Sequence, residues 1–160
     1  MISTGDQSYS RFKAYSQSKL ANLLFACELD QKLRGIGSPV LSICAHPGTV
    51  RTNLGTTGFK MESDRGIMKQ ISSSLTRAVF YLIFSPLTLF IQSPDDGVLP
   101  LLYAATSPNA ESGAYYGPGG SGERKGAPRR VESSEASYDQ NVARRLWEVS
   151  SELTRVRFNL

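Results

Sequence analysis

The first twelve positions, Met1 to Phe12, are mostly polar and read as a loop, and periodicity begins just after them. Leu20, Leu23, Leu24, Cys27 and Leu33 recur at spacings of three and four, with Ala21 and Ala26 as small neighbours. That repeat predicts an amphipathic helix over residues 14–34. Gly35 and Gly37 end it, and Lys32 and Arg34 place cations in the last turn, where the helix dipole favours them. The pattern then changes period. Pro39-Val40-Leu41-Ser42-Ile43-Cys44-Ala45 is a short apolar run bounded by glycine and by His46-Pro47-Gly48, which predicts a buried strand over 39–45. A helix, a glycine turn, a buried strand and a Pro-Gly loop in that order are the grammar of an α/β domain.

From Thr49 to Pro94 the pattern loosens. Gly55, Gly58 and Gly66 punctuate it, and the apolar run from Ala78 to Ile91 is interrupted by Pro86. The run is too short to span a bilayer. Core packing, a cover over a substrate pocket, a subunit interface and a membrane surface are all open readings of it. Asp95 and Asp96 head a predicted helix over 97–105, and Ala114-Tyr115-Tyr116 predicts a short strand. Residues 117–126 are glycine-rich, but no helix with a lysine and a hydroxyl follows, so a flexible surface loop is expected rather than a phosphate cradle. Val142, Leu146, Val149 and Leu153 predict a final helix over 137–153, with Trp147 beside the stripe.

Composition narrows the classes. The 160 residues are 40% hydrophobic and 20% charged, which suits a globular domain and excludes a wholly disordered or disulfide-stapled chain. A net charge of +4 would favour anionic partners, but the cations are scattered apart from Arg124-Lys125 and Arg129-Arg130. No aromatic or metal-finger motif accompanies them, so neither a nucleic-acid partner nor a bound metal is expected. Cys27 and Cys44 each sit in an apolar segment and read as reduced, buried thiols. With no apolar leader at the start, a cytoplasmic setting without membrane contact is the expectation.

Chemistry enters with Tyr15 and Lys19, four apart at the start of the first helix and therefore on one face. A phenol has an ordinary pKa of about 10, which makes it a poor acid-base group near neutrality. A neighbouring ammonium favours the phenolate. Such a pair can exchange a proton with an alcohol or carbonyl oxygen during hydride transfer. On spacing alone, an exposed helix face remains the other reading.

The string Tyr15-Ser16-Gln17-Ser18-Lys19-Leu20-Ala21-Asn22 resembles the active-site helix of the short-chain dehydrogenase/reductase superfamily. Further on, Ala45-His46-Pro47-Gly48-Thr49-Val50-Arg51-Thr52 resembles the loop after the sixth strand of that fold. The run from Ser18 to Leu33 and the ending Ala143-Arg144-Arg145-Leu146-Trp147-Glu148-Val149-Ser150 are similar to the branch of retinol dehydrogenases and related reductases. The resemblance implies that Tyr15 is the catalytic acid or base, and that Lys19 assists it and binds the nicotinamide ribose. It implies that Pro47, Gly48 and Val50 line the nicotinamide site, with the Thr52 hydroxyl near the carboxamide or pyrophosphate. His46 matches a family position, with a structural role expected. Residues 55–93 would carry the substrate lid, and residues 114–153 the last strand and carboxyl-terminal helix.

Nothing before Tyr15 resembles the strand, glycine-rich turn and helix that hold the pyrophosphate in that superfamily. The family's catalytic serine also has no match, since Ser3, Ser8 and Ser10 lack an apolar strand before them. The expected fold is therefore an incomplete Rossmann-type α/β domain, the carboxyl-terminal half of a doubly wound parallel sheet, over 1–160. The implied function is NAD- or NADP-dependent interconversion of an alcohol and a carbonyl on an apolar small molecule, with little activity expected of this chain alone. The alternative is a non-catalytic fragment acting through a helical dimer or partner interface formed by residues 14–34.

Overall fold

The computed structural model describes residues 10–50 and 91–158. Residues 51–90, which hold Thr52 and nearly all of the predicted lid over 55–93, lie outside the described residues. The chain divides into two compact units. One joins Met1–Cys44, Glu111–Ala114 and Glu132–Leu160; the other joins Ala45–Ala110 and Tyr115–Val131.

The first unit is built on α1 (Arg11–Gly35), which begins before the predicted residue 14. Its cap explains the earlier start: the Ser10 side chain accepts from the Lys13 N–H at 3.5 Å. Its end is a Schellman motif. Gly37 sits at φ +65 and donates to Arg34 O, while Ser38 donates to Leu33 O. The predicted stripe is partly right: Leu24 and Leu33 are buried, while Leu20, Leu23 and Cys27 are half-buried. Glu28 and Asp30 are buried as well, and each is paired one turn on, with Lys32 at 3.3 Å and Arg34 at 2.9 Å.

Against α1 packs α2 (Gln140–Thr154), which follows a 3-10 turn at Glu135–Tyr138. Asp139 caps it by accepting from the N–H groups of Asn141 and Val142, both at 3.0 Å. Its buried face differs from the predicted stripe. Leu146 and Val149 of that stripe are half-buried, but Val142 and Leu153 are exposed, and the helix turns inward Ala143 and Trp147 in their place. The reason is aromatic: Trp147 stacks on Phe25 with ring centroids 5.0 Å apart, and Phe158 meets it from the tail at 5.8 Å. Three hydrogen bonds join α1 to other segments of this unit. Arg34 donates to Ser112 O at 2.7 Å, the Ser112 hydroxyl bonds Asp30, and the Ser42 hydroxyl donates to Ala26 O at 2.9 Å.

The predicted strand over 39–45 is confined to β1 (Cys44–Ala45), and Val40 and Leu41 are exposed. Pairing explains this. Cys44 donates to Ala114 O and His46 donates to Tyr116 O, and these bonds step forward together along both segments, as parallel pairing requires. Among the described residues Val40 and Leu41 have no ladder neighbour.

The second unit holds a helix, α3 (Pro94–Thr106), and two further strands, β2 (Tyr115–Pro118) and β3 (Pro128–Val131). The helix α3 begins before the predicted residue 97, because Ser93 caps it by accepting from the Asp96 N–H at 3.1 Å. Asp95 and Asp96 occupy its first turn, as the helix dipole favours. The sheet order is β1-β2-β3, with β2 and β3 antiparallel and Tyr116 opposite Arg130. The strand β3 was not anticipated, and it makes the glycine-rich stretch the closed end of a hairpin rather than a free loop. Gly119 donates to Ala127 O at 2.8 Å, and Gly120 donates to Lys125 O at 2.9 Å. The fold is α/β as expected, with one parallel and one antiparallel strand pair among the described residues.

Candidate functional site

Tyr15 and Lys19 lie in the first turns of α1, in the first unit. The helical spacing brings them together as predicted: Lys19 Nζ stands 5.3 Å from the centroid of the Tyr15 ring. Both side chains are exposed, so the phenol is open to a reactant. The Ser18 hydroxyl is occupied locally, donating to Tyr15 O at 2.7 Å.

Pro47, Gly48 and Val50 lie in the second unit, at the end of β1. Their loop is held on every side by bonds within that unit. The Gly48 N–H donates to His46 Nδ1 at 3.2 Å, and the Thr49 N–H donates to Arg124 O at 2.9 Å. The Gln92 N–H donates to Thr49 O at 2.9 Å, and the Gln92 side-chain amide donates to Pro47 O. Gly48 has φ +71, and a Cβ there would stand 2.5 Å from Arg124 O and 2.7 Å from Pro118 Cγ, so glycine is demanded twice over. Val50 pairs with Gln92 in a parallel bridge, and its side chain presses on Gly97, where a Cβ would overlap it.

Among the described residues, two buried side-chain atoms border this loop without an aligned hydrogen-bond partner, His46 Nε2 and Gln92 Oε1. The Gln92 amide is oriented by its neighbour: Pro47 O can only accept, so Nε2 faces it and Oε1 is the orphan. Gln92 also lines an open cavity of about 820 Å³, together with Asp96, Leu99, Arg124 and Lys125.

The cysteines are free, and both are half-buried rather than fully buried as expected. Burial pushes both thiols above their ordinary value, with Asp30 adding to the shift at Cys27 and Cys27 adding to that at Cys44. They are therefore protonated at neutral pH and unsuited to nucleophilic work. Among the described residues no group of three His, Cys, Asp or Glu side chains is placed to hold a metal. No helix among them is long and apolar enough to cross a membrane.

The sequence offers Tyr15, Lys19, Pro47, Gly48 and Val50 as candidates but not Gln92, which bonds Pro47 O, nor Glu123, whose Oε2 stands 3.2 Å from His46 Nε2. Gln92 sits at the end of a loosely patterned stretch, and Glu123 sits in a glycine-rich run whose hairpin closure composition does not reveal. Thr52 lies outside the described residues.

No family model matches the chain. It is similar to retinol dehydrogenase 14 of Mus musculus, 35% identical over 147 residues that cover 91% of this chain and 36% of that protein. It is 37% identical to retinol dehydrogenase 13 of Mus musculus over 148 residues, which cover 91% of this chain and 37% of the relative. With polyprenol dehydrogenase of Mus musculus it shares 34% identity over 153 residues, covering 94% of this chain and 38% of the relative. Among solved structures, an uncharacterised protein from Mycobacterium paratuberculosis matches with a TM-score of 0.65 at 31% identity. That match covers 97% of this chain and 43% of the other. The chain thus spans well under half the length of the relatives it matches.

Proposed function

This chain belongs to the short-chain dehydrogenase/reductase superfamily, in the region of similarity to the carboxyl-terminal portion of retinol and polyprenol dehydrogenases, and from that premise we propose that it carries the proton-transfer half of a nicotinamide-dependent alcohol–carbonyl interconversion. Tyr15 Oη gives a proton to the carbonyl oxygen in reduction and takes one from the hydroxyl in oxidation. Lys19, on the same helix face, reaches for the nicotinamide ribose. The observation that carries this reading is the exposed pair itself, with the Lys19 ammonium 5.3 Å from the Tyr15 ring at one end of α1.

The cofactor of this chemistry is NAD or NADP, which supplies or accepts the hydride when bound. The residues present suit its nicotinamide end. Pro47 is exposed, Val50 is apolar, and Gln92 Oε1, without an aligned partner among the described residues, offers an acceptor to an amide donor such as the carboxamide carries. No glycine-rich turn of the kind that holds a pyrophosphate stands between Met1 and Tyr15. The substrate is an apolar alcohol or carbonyl compound, a class supported by the names of the retinol and polyprenol relatives. The cytoplasm is the proposed compartment, supported by two unpaired thiols, and subcellular fractionation checks it.

Deuterium transfer from a 4-deuterated nicotinamide to an apolar aldehyde, read by mass spectrometry over long incubations, tests the reading despite the low turnover expected. Tyr15→Phe should lower the incorporation at least about 100-fold, the scale of a lost general acid. Equal incorporation by the parent and the variant overturns the assignment. Self-association through residues 14–34 is the lesser reading, because Leu24 and Leu33 of its stripe are already buried within their own unit. A stable monomer in light scattering removes it.

A further inference from the structure

The chain has one histidine, and it holds the Pro-Gly loop from within. His46 Nδ1 accepts the Gly48 N–H, and an imidazole nitrogen accepts only when it bears no proton. The ring proton of the neutral imidazole therefore belongs on Nε2. That atom is buried and stands 3.2 Å from Glu123 Oε2, although the alignment falls short of a hydrogen bond. Three features maintain the arrangement. Gly117 leaves the space in which any Cβ would overlap the imidazole. The Tyr115 ring lies beside the imidazole, with centroids 5.0 Å apart. Glu123 adopts a left-handed backbone at φ +55, a conformation that costs a non-glycine residue free energy and persists where the surroundings demand it.

We propose that Glu123 and His46 form a positioning pair for the Pro-Gly loop. The Glu123 carboxylate keeps the imidazole proton on Nε2, and the Nδ1 lone pair thereby fixes the Gly48 amide and the backbone on either side of it. Neither side chain is a catalytic residue. The functional consequence rests on the proposed nicotinamide role of Pro47, Gly48 and Val50, while the tautomer and the Gly48 bond stand independently of it. The pair also accounts for the hairpin's contact with this loop: Glu123 reaches the ring, and the adjacent Arg124 carbonyl takes the Thr49 N–H.

Because the chain has a single histidine, its nitrogen signals are unambiguous. Long-range proton–nitrogen correlation in mildly alkaline buffer should show the Nε2–H tautomer in the parent and a mixture of both tautomers in Glu123→Ala. Substitution of the ring separates acceptor from filler. Asparagine places an oxygen near the Nδ1 position, whereas glutamine is closer to histidine in length but reaches toward the Nε2 position. Hydrogen exchange at the Gly48 amide should stay close to the parent's in His46→Asn and rise about fivefold in His46→Gln, the scale of one lost hydrogen bond. An Nδ1–H tautomer in the parent overturns the proposal without recourse to any variant. Equal Gly48 protection in the two variants overturns it as well, since the ring would then only fill space. If the expected pattern is seen but reduced nicotinamide mononucleotide does not bind, the positioning pair stands and the nicotinamide role of the loop falls.

Discussion

At the scale of single residues, Gly48 is the position with least freedom. Alanine there must tolerate φ +71 and place its Cβ 2.5 Å from Arg124 O and 2.9 Å from Glu123 O. We expect Gly48→Ala to cost about 2–4 kcal/mol, combining left-handed strain with overpacking, as read from urea unfolding by circular dichroism. A loss under about 0.5 kcal/mol contradicts the described geometry. The cysteines give a pH-dependent expectation. Burial raises both thiols above their ordinary value, so the folded state favours the protonated form. Their contribution to stability is full below the ordinary thiol value and is lost as pH rises through the folded one. Alkylation by iodoacetamide at neutral pH should accordingly be slower in the folded chain than after unfolding, and should accelerate with pH. At this scale the sequence was most legible where chemistry and helical spacing coincide, as at Tyr15 and Lys19. His46 was legible as structural but not as a holder of Gly48, because that role depends on Glu123, which is distant in sequence and near in the fold.

Among the elements, helices were read better than strands, for a physical reason. A helix satisfies its backbone locally and announces its ends: Ser10, Ser93 and Asp139 all cap, and Gly37 closes α1. Asp139→Ala removes the acceptor of two N–H groups at the start of α2. We expect it to lower stability by about 1 kcal/mol, followed by the fluorescence of Trp147 on the same helix. No change would mean that the cap is replaced by solvent. Strands depend on partners that periodicity does not name. Residues 39–45 are apolar enough for a buried strand, yet the ladder reaches only Cys44–Ala45, where Ala114 and Tyr116 supply carbonyls. Conversely, Pro128–Val131 has two arginines and a proline and reads as a poor strand, but its pairing with Tyr115–Pro118 makes it one. On α2 the hydrophobic repeat named Val142, Leu146, Val149 and Leu153; Leu146 and Val149 are half-buried, while Val142 and Leu153 are exposed because the stacking of Trp147 on Phe25 turns the helix to bury Ala143.

For the whole molecule, the fold class and the family were both legible, because two motifs in order carry more information than either alone. Composition suited one domain, whereas the chain aligns with less than half the length of its retinol dehydrogenase relatives. The proposed role of Lys19, Gly48 and Val50 is to bind the nicotinamide end of a cofactor, and that of Tyr15 is to move a proton. The most direct measurement is a titration of the nitrogen-labelled chain with reduced nicotinamide mononucleotide, following every assigned amide. Saturable shifts are expected at Gly48, Val50 and Lys19, weakened by Lys19→Ala. Saturable shifts confined to other residues, or none at all, would contradict the proposed binding role.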